Sequence, residues 1–220
     1  MTSTSTYVFD AYGTLFDVHS ASARHADAIG PSWERFSQIW RTKHLEYTWI
    51  YAQTGRHTAF RALLEQSLET AIAMVGGIPA GLRGQLLAAY LELDAYSEVP
   101  AILDHLKTRG YTTAILTNGD PDMIETAARS AGIRDKLDQI LTVHEIGVFK
   151  PDMRVYRLVT DRLGAGVEAV QFHSSNRWDA VGAKVFGFGT VWVNRTAQPL
   201  EYPETPPDRI EKDLSFLLAV

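Results

Sequence analysis

The chain has 220 residues, 45% of them hydrophobic, which is typical of a globular protein large enough to bury a core. A net charge of −5 without any cluster of lysine and arginine argues against nucleic acid as a partner. The absence of cysteine excludes disulfides and thiolate metal sites, and no stretch resembles a signal peptide or a membrane span, so we expect a cytoplasmic protein with no membrane partner.

The first predicted strand ends in a carboxylate. Apolar and aromatic residues at 7–9 run directly into Asp10, and a turn containing Gly13 follows. A buried parallel strand delivers a reactive group to its carboxyl end in this way, so Asp10 is a candidate nucleophile. The stretch alone is equally compatible with Asp10 as an ordinary turn or capping residue.

Helices are predicted almost throughout residues 18–93. One begins with Ser32 as its N-cap and ends at Gly55, and two more cover about 58–75 and 82–93. No strand pattern interrupts them, so this block is predicted to be an all-helical cap domain inserted after the first strand. The first of these helices carries an aromatic stripe, from which we expect a homodimer. The stripe consists of Trp33, Phe36, Trp40, Tyr47 and Tyr51.

Strand and helix patterns alternate in the rest of the chain. "YTTAILTNG" and "AVQFHSSN" read as strands, whereas "DPDMIETAARSAG" reads as a helix with Asp120 as its cap. This alternation predicts an α/β fold with a doubly wound parallel sheet, formed by residues 1–17 and 94–220. The segment 198–207 reads as irregular, and "DLSFLLAV" as a short terminal helix.

Polar groups follow the predicted core strands at the point where each strand ends. They occur in Thr117-Asn118-Gly119, at Lys150 and in residues 174–179. Because the carboxyl ends of parallel strands meet at one edge of a sheet, we expect these groups to converge on Asp10. Each also has a simpler interpretation, as a capping turn, a solvated charge or an ordinary helix N-cap.

The segment from Asp10 to Asp17, "DAYGTLFD", resembles the nucleophile motif of the haloacid dehalogenase superfamily. The resemblance implies a Rossmann-like core with an aspartate nucleophile and an inserted cap. In the phosphatases of that superfamily, a second aspartate stands at the place of Tyr12, and an acidic pair that serves magnesium stands at the places of Ser175 and Asp179. Since only Asp179 is acidic here, we expect no metal site and no other cofactor.

Tyr12 and the sequence "SSNRWD" resemble instead the 2-haloacid dehalogenase branch, whose leaving group is a halide and needs no proton. There Arg41 receives the halide, although spacing alone favours a surface arginine, and Lys150 pairs with the nucleophile. The catalytic residues implied by the resemblance are Asp10, Thr14, Arg41, Lys150, Ser174, Asn176 and Asp179. The substrate-binding residues that it implies are Tyr12, Leu45, Phe60, Thr117, Asn118, Tyr156 and Trp178.

The predicted reaction is the metal-independent hydrolysis of short-chain L-2-haloacids to D-2-hydroxy acids through an ester on Asp10, with the haloacid and the released halide as the partners. The alternatives are a magnesium-dependent small-molecule phosphatase and a non-catalytic binding protein on the same fold. Two departures from the branch are expected to affect substrate preference: Thr42, where glutamine is common, and Asp120, whose charge lies close to the Thr117–Asn118 turn.

Overall fold

A computed structural model describes residues 4–220 and contains one six-stranded parallel sheet. The strand order is β3-β2-β1-β4-β5-β6, with all neighbouring strands parallel. The strands are β1 (Thr6–Phe9), β2 (Thr112–Thr117), β3 (Gln139–Thr142), β4 (Val170–Ser174), β5 (Gly189–Val193) and β6 (Arg209–Glu211). The predicted doubly wound α/β fold is confirmed.

Nine α-helices of four residues or more lie within residues 4–220. Five of them lie between β1 and α6, in the part of the chain where the sequence predicts the cap. They are α1 (Ser20–Ala23), α2 (Ala26–Ile29), α3 (Trp33–Gln53), α4 (Phe60–Met74) and α5 (Leu82–Leu91). The other four connect the core strands: α6 (Val99–Thr108), α7 (Pro121–Ser130), α8 (Met153–Leu163) and α9 (Arg177–Phe186).

The central strand β1 fixes the position of the site. All four of its residues are buried, and it pairs with β2 on one side and β4 on the other. Phe9 lies level with Ile115 and His173, and the backbone N–H of Asp10 donates to the carbonyl of His173 at 2.9 Å. The residues that follow β1, β2 and β4 therefore emerge at the same edge of the sheet.

Several local predictions were wrong in detail. Ser32 precedes α3 but its side chain does not cap it, and the carboxylate of Asp120 does not cap α7. Residues 209–211 form an unpredicted edge strand, and the predicted terminal helix is a 3₁₀ helix at 214–219. The edge strand was missed because three residues carry almost no periodic signal.

The aromatic stripe of α3 packs partly inside the chain itself. Phe36 and Trp40 are almost completely buried, and the indole N–H of Trp40 donates to the carbonyl of Leu64 on α4 at 3.0 Å. The hydroxyl of Tyr47 lies 2.8 Å from that of Thr70, also on α4. These contacts hold α3 against α4, while Trp33 and Tyr51 of the stripe are half-buried. Within the described residues, no helix combines the length and apolarity needed to cross a membrane.

Candidate active site

The carboxylate of Asp10 is held by three donors at the end of β1. It is 6% exposed. Its Oδ2 accepts hydrogen bonds from the hydroxyl of Thr14 at 2.9 Å and the amide of Asn176 at 2.8 Å, and its Oδ1 accepts one from Lys150 Nζ at 3.1 Å. Thr14 is oriented in turn, because its hydroxyl oxygen accepts the backbone N–H of Ser175 at 2.8 Å. The geometry fixes the carboxylate while leaving Oδ1 with fewer donors than Oδ2.

Lys150 is a fully buried ammonium between two buried carboxylates. Its Nζ lies 3.1 Å from Asp10 Oδ1 and 2.9 Å from Asp179 Oδ2, and 5.1 Å from the centre of the Phe172 ring. Burial alone would lower the pKa of Lys150, but the carboxylates of Asp10 and Asp179 outweigh that effect and raise the pKa above its ordinary value. The side chain is therefore charged at neutral pH.

Asp179 completes the ion cluster from the first turn of α9. Its Oδ2 also accepts from the hydroxyl of Ser174 at 3.1 Å, and its Oδ1 accepts from the hydroxyl of Tyr156 at 2.8 Å. Burial raises the pKa of Asp179 to about 6, although the neighbouring Lys150 ammonium works against this increase. Gly182 is needed here, because a Cβ at that position would collide with the Tyr156 hydroxyl. The missing side chain at Gly182 therefore lets Tyr156, on α8, reach the carboxylate of Asp179.

The turn after β2 supplies Thr117 and Asn118. The Oγ1 of Thr117 accepts the backbone N–H of Gly119 at 3.0 Å, which leaves the hydroxyl hydrogen available for another acceptor. The Oδ1 of Asn118 accepts the backbone N–H of Lys150 at 2.9 Å, so this side chain ties the turn to the loop that carries the lysine. A Cβ at Gly119 would lie 2.8 Å from the Tyr12 ring, so only glycine allows this close approach.

Arg41 reaches the site from α3. Its Nη2 donates to the backbone carbonyl of Tyr12 at 2.8 Å and to the side-chain oxygen of Asn176 at 3.2 Å. Asn176 in turn donates to Asp10, so one amide group connects the guanidinium to the nucleophile candidate. The alternative of a solvated surface arginine is inconsistent with these contacts.

A small cavity lies between Asp10 and the helices, with room for about one water molecule. Its wall combines the charged groups with apolar side chains from both parts of the chain. The lining residues are Asp10, Tyr12, Arg41, Leu45, Phe60, Thr117, Asn118, Asn176 and Trp178. The rings of Tyr12 and Phe60 are 5.4 Å apart, and Trp178 meets Trp49 edge to face at 5.5 Å. The predicted site residues therefore meet at one place, with Lys150, Ser174, Tyr156 and Asp179 behind Asp10. Thr42 lies outside the cavity, on the wall of an adjoining outer pocket.

Two buried polar side chains near the site were not predicted. Tyr90 stacks on Tyr12 with ring centres 5.7 Å apart, and its hydroxyl has no hydrogen-bond partner within residues 4–220. His44 lies against Phe60 at 4.1 Å, and burial lowers its pKa to about 3, so the ring is neutral. Its position three residues after Arg41 could have placed it on the same helix face, whereas nothing in the sequence around Tyr90 distinguishes it.

The residues around Asp10 do not fit a divalent cation. Hard cations need several anionic oxygens, but the position between Asp10 and Asp179 is taken by the ammonium of Lys150. Ser175 and Tyr12, at the places of the phosphatase acids, contribute no carboxylate. Across residues 4–220, no group of three or more His, Cys, Asp or Glu side chains is arranged to hold a metal ion.

Comparison with known proteins points to one family. A family model described as haloacid dehalogenase-like hydrolase matches residues 4–187. The chain is 44% identical to (S)-2-haloacid dehalogenase 1 of Pseudomonas sp. (strain CBS-3), over 96% of this chain and 93% of that protein. It is 42% identical to (S)-2-haloacid dehalogenase 4A of Burkholderia cepacia, over 96% of this chain and 91% of the other.

Solved structures agree with the sequence matches. A dehalogenase crystallised with an intermediate complex superposes with a TM-score of 0.96 at 39% identity, covering 100% of this chain and 97% of that one. The L-2-haloacid dehalogenase from Xanthobacter autotrophicus with chloropropionic acid covalently bound gives a TM-score of 0.88 at 32% identity, covering 98% and 97%. The likeness therefore spans both the sheet and the helices between β1 and α6.

Proposed function

The chain belongs to the haloacid dehalogenase-like hydrolases, and we propose that it hydrolyses short-chain L-2-haloacids to D-2-hydroxy acids through an ester on Asp10, without a metal. The observation that carries this proposal is the ammonium of Lys150, 3.1 Å from Asp10 and 2.9 Å from Asp179. It supplies fixed positive charge beside the nucleophile, while Tyr12 and Ser175 leave the site without the further carboxylates that a magnesium ion would need. The names of the relatives support the same reaction class.

In the first step, Asp10 Oδ1 attacks the halogen-bearing carbon from the side opposite the halogen. Oδ1 accepts one hydrogen bond and Oδ2 accepts two, so Oδ1 has the lone pair free for attack. A carbon–oxygen bond forms, the carbon–halogen bond breaks, and the halide leaves with the bonding electrons. The substrate carboxylate is held at the Thr117–Asn118 turn, and the configuration at the carbon inverts.

Arg41 and the apolar side chains receive the halide. A guanidinium is a weakly hydrated, permanent cation, and it is most effective where Leu45, Phe60 and Trp178 exclude water. No proton needs to be delivered, because a halide ion is a stable leaving group. This accounts for the absence of an acid at Tyr12.

In the second step, water attacks the carbonyl carbon of the Asp10 ester. The carbonyl oxygen is then Oδ2, which Thr14 and Asn176 hold at 2.9 and 2.8 Å, and these donors stabilise the negative charge that develops on it. Asp179, with a pKa of about 6, accepts the proton from the water at neutral pH. The ester bond to Oδ1 breaks, the departing alkoxide takes back the proton held by Asp179, and Asp10 returns to its carboxylate form by releasing a proton to solvent. The hydroxy acid therefore leaves with an oxygen that came from Asp10.

The function is tested by measuring halide release from each enantiomer of 2-chloropropionate in the presence of a chelator. We expect release from the L enantiomer alone, unaffected by the chelator, because Tyr12 and Ser175 leave too few carboxylates beside Asp10 to hold a metal ion. A parallel assay with an aryl phosphate and magnesium serves as the control for the rival phosphatase function. Metal-dependent phosphate release without halide release would contradict the proposal. The absence of both activities would favour a binding protein.

Replacing Arg41 by lysine is expected to lower kcat for halide release by on the order of 10²-fold. A lysine keeps the charge, but its compact ammonium cannot bind the Tyr12 carbonyl and the Asn176 amide while also facing the halide. Arg35→Lys is the matched control, since Arg35 is an exposed arginine on the same helix. A rate for Arg41→Lys within twofold of the wild type would remove Arg41 from the mechanism.

Four further statements remain predictions from the sequence. The division into a core of residues 1–17 and 94–220 and a cap of residues 18–93 agrees with the positions of α1–α5, although residues 1–3 lie outside the described part of the chain. The cytoplasmic location and the homodimer are proposed on sequence grounds, and sedimentation of the purified protein would test the dimer. A role in haloalkanoate degradation follows only if the reaction is the proposed one.

A further inference from the structure

Asp120 joins the turn after β2 to the first turn of α4. Its Oδ1 accepts the backbone N–H of Phe60 at 3.0 Å, and its Oδ2 accepts that of Arg61 at 2.8 Å. Both donors belong to the helical insertion, whereas Asp120 follows Gly119 in the sheet-forming part of the chain. One carboxylate therefore binds two amides at a distance of about 60 residues along the sequence.

Helix α4 has no acceptor of its own at this end. Its N-cap residue is Ala59, which carries no side-chain oxygen, and no side-chain cap is formed there. The first amides of a helix need partners, and a negative charge at this end also interacts favourably with the helix dipole. Asp120 supplies from another part of the chain the acceptor that an N-cap side chain can provide.

The contact joins two segments that line the cavity, although Asp120 itself lies outside it. Phe60 is the first residue of α4, is 2% exposed, and its ring forms part of the apolar wall opposite Asp10. Thr117 and Asn118, which precede Asp120 by three and two residues, form the polar side of the same cavity. A shift of α4 relative to the turn would therefore change the width of the cavity.

A second contact supports the same junction. The ring of His57 lies 5.9 Å from that of Phe149, next to Lys150, and it also faces Gly147.

Arg61 and Asp122 form a longer ion pair of 3.6 Å, in which the Asp122 side chain is 70% exposed. Asp122 places a similar negative charge near the same helix without binding its amides, so it offers a matched control.

We propose that Asp120 is a positioning residue: by capping α4 from the core, it holds Phe60 in its place in the cavity wall and so sets the apolar surface on which halide departure depends. The proposal rests on the function proposed above. It predicts that the hydrogen bonds between Asp120 and α4 are needed for the full rate, and that a stable α4 is not sufficient for it. The reason is that small displacements of site groups can cost on the order of 10²-fold in rate.

The test compares Asp120→Ala with the double variant Asp120→Ala, Ala59→Ser. A serine at position 59 is exposed, has extended backbone geometry suited to an N-cap, and can bind the amide of Arg61. It restores a cap to α4 without restoring the tie to the turn. Asp122→Ala controls for loss of charge. Each protein is assayed for thermal midpoint, for steady-state chloride release from L-2-chloropropionate, and for hydrogen exchange at the amides of Phe60 and Arg61.

We expect Asp120→Ala to lower kcat/KM about tenfold or more and to lower the thermal midpoint. In the double variant, the thermal midpoint and the protection of the Arg61 amide return to their wild-type values. In the same variant, kcat/KM stays low and the amide of Phe60 still exchanges fast. Asp122→Ala should match the wild type. Recovery of kcat/KM in the double variant, or an unchanged kcat/KM in Asp120→Ala, would overturn the proposal. An inactive wild type would instead defeat the proposed function. Hydrogen exchange at the amide of Phe60 would still show whether Asp120 binds that amide.

Discussion

Asp10→Asn is expected to abolish halide release, lowering kcat by on the order of 10⁴-fold or more, because a carboxamide is not a nucleophile under these conditions. The fold should survive the change. The asparagine side chain has nearly the same shape as aspartate, and with its oxygen at the position of Oδ2 it still accepts the hydrogen bonds of Thr14 and Asn176. Only the hydrogen bond from Lys150 is lost, and Lys150 keeps its ion pair with Asp179. Steady-state halide release measures the first effect, and circular dichroism with thermal unfolding measures the second.

Asp17→Asn is the matched control for this variant. Asp17 belongs to the same sequence motif, but its carboxylate accepts the backbone N–H of His19 at 2.9 Å and does not line the cavity. This variant should retain most of the activity. Unfolding of Asp10→Asn, or activity comparable with that of Asp17→Asn, would make Asp10 a structural residue.

Lys150→Met is expected to remove activity and to lower the free energy of unfolding by about 3–5 kcal/mol at pH 8. Methionine fills a similar volume, but it leaves the carboxylates of Asp10 and Asp179 facing each other without the ammonium between them. In the folded variant, burial and mutual repulsion disfavour the charged forms, so the carboxyl pKa values rise and protonation favours the folded state. The loss of stability should therefore be smaller at pH 5 than at pH 8.

Urea unfolding of wild type and variant at the two pH values measures this difference. Lys136→Met is the control, since Lys136 forms a partly exposed ion pair with Asp104 and exposed pairs contribute only about 0.2–1 kcal/mol. A loss for Lys150→Met that is the same at pH 5 and pH 8 would mean that unpaired carboxylates are not its cause.

The position of the site could be predicted from the sequence, and the reason is geometric. Asp10, the Thr117–Asn118 turn and Ser174 each follow an apolar stretch, and parallel strands bring such residues to one edge whatever the details of packing. Arg41 is different. Its spacing on α3 does not distinguish it from a surface arginine, so its assignment depended on the resemblance, and its contacts with Tyr12 and Asn176 come from the fold.

Two contacts between segments that are distant in sequence were not predicted. Asp120 stands where a cap for α7 is expected, yet its carboxylate binds α4, because Ala59 leaves that helix without an acceptor. The hydrogen bond from Tyr156 to Asp179 depends on the missing side chain at Gly182. In both cases local propensity was a poor guide, because the partner is chosen by tertiary packing.

The central claim is that Asp10 becomes an ester that water then hydrolyses at its carbonyl carbon. It is tested most directly by a single turnover in water enriched in oxygen-18, with enzyme in excess over L-2-chloropropionate, followed by mass analysis of the lactate and of the peptide that contains Asp10. The mechanism predicts unlabelled lactate and a peptide heavier by one oxygen-18, because the product takes its oxygen from Asp10 and water replaces it. Labelled lactate with an unlabelled peptide would contradict covalent catalysis and place the attack of water on the substrate carbon itself.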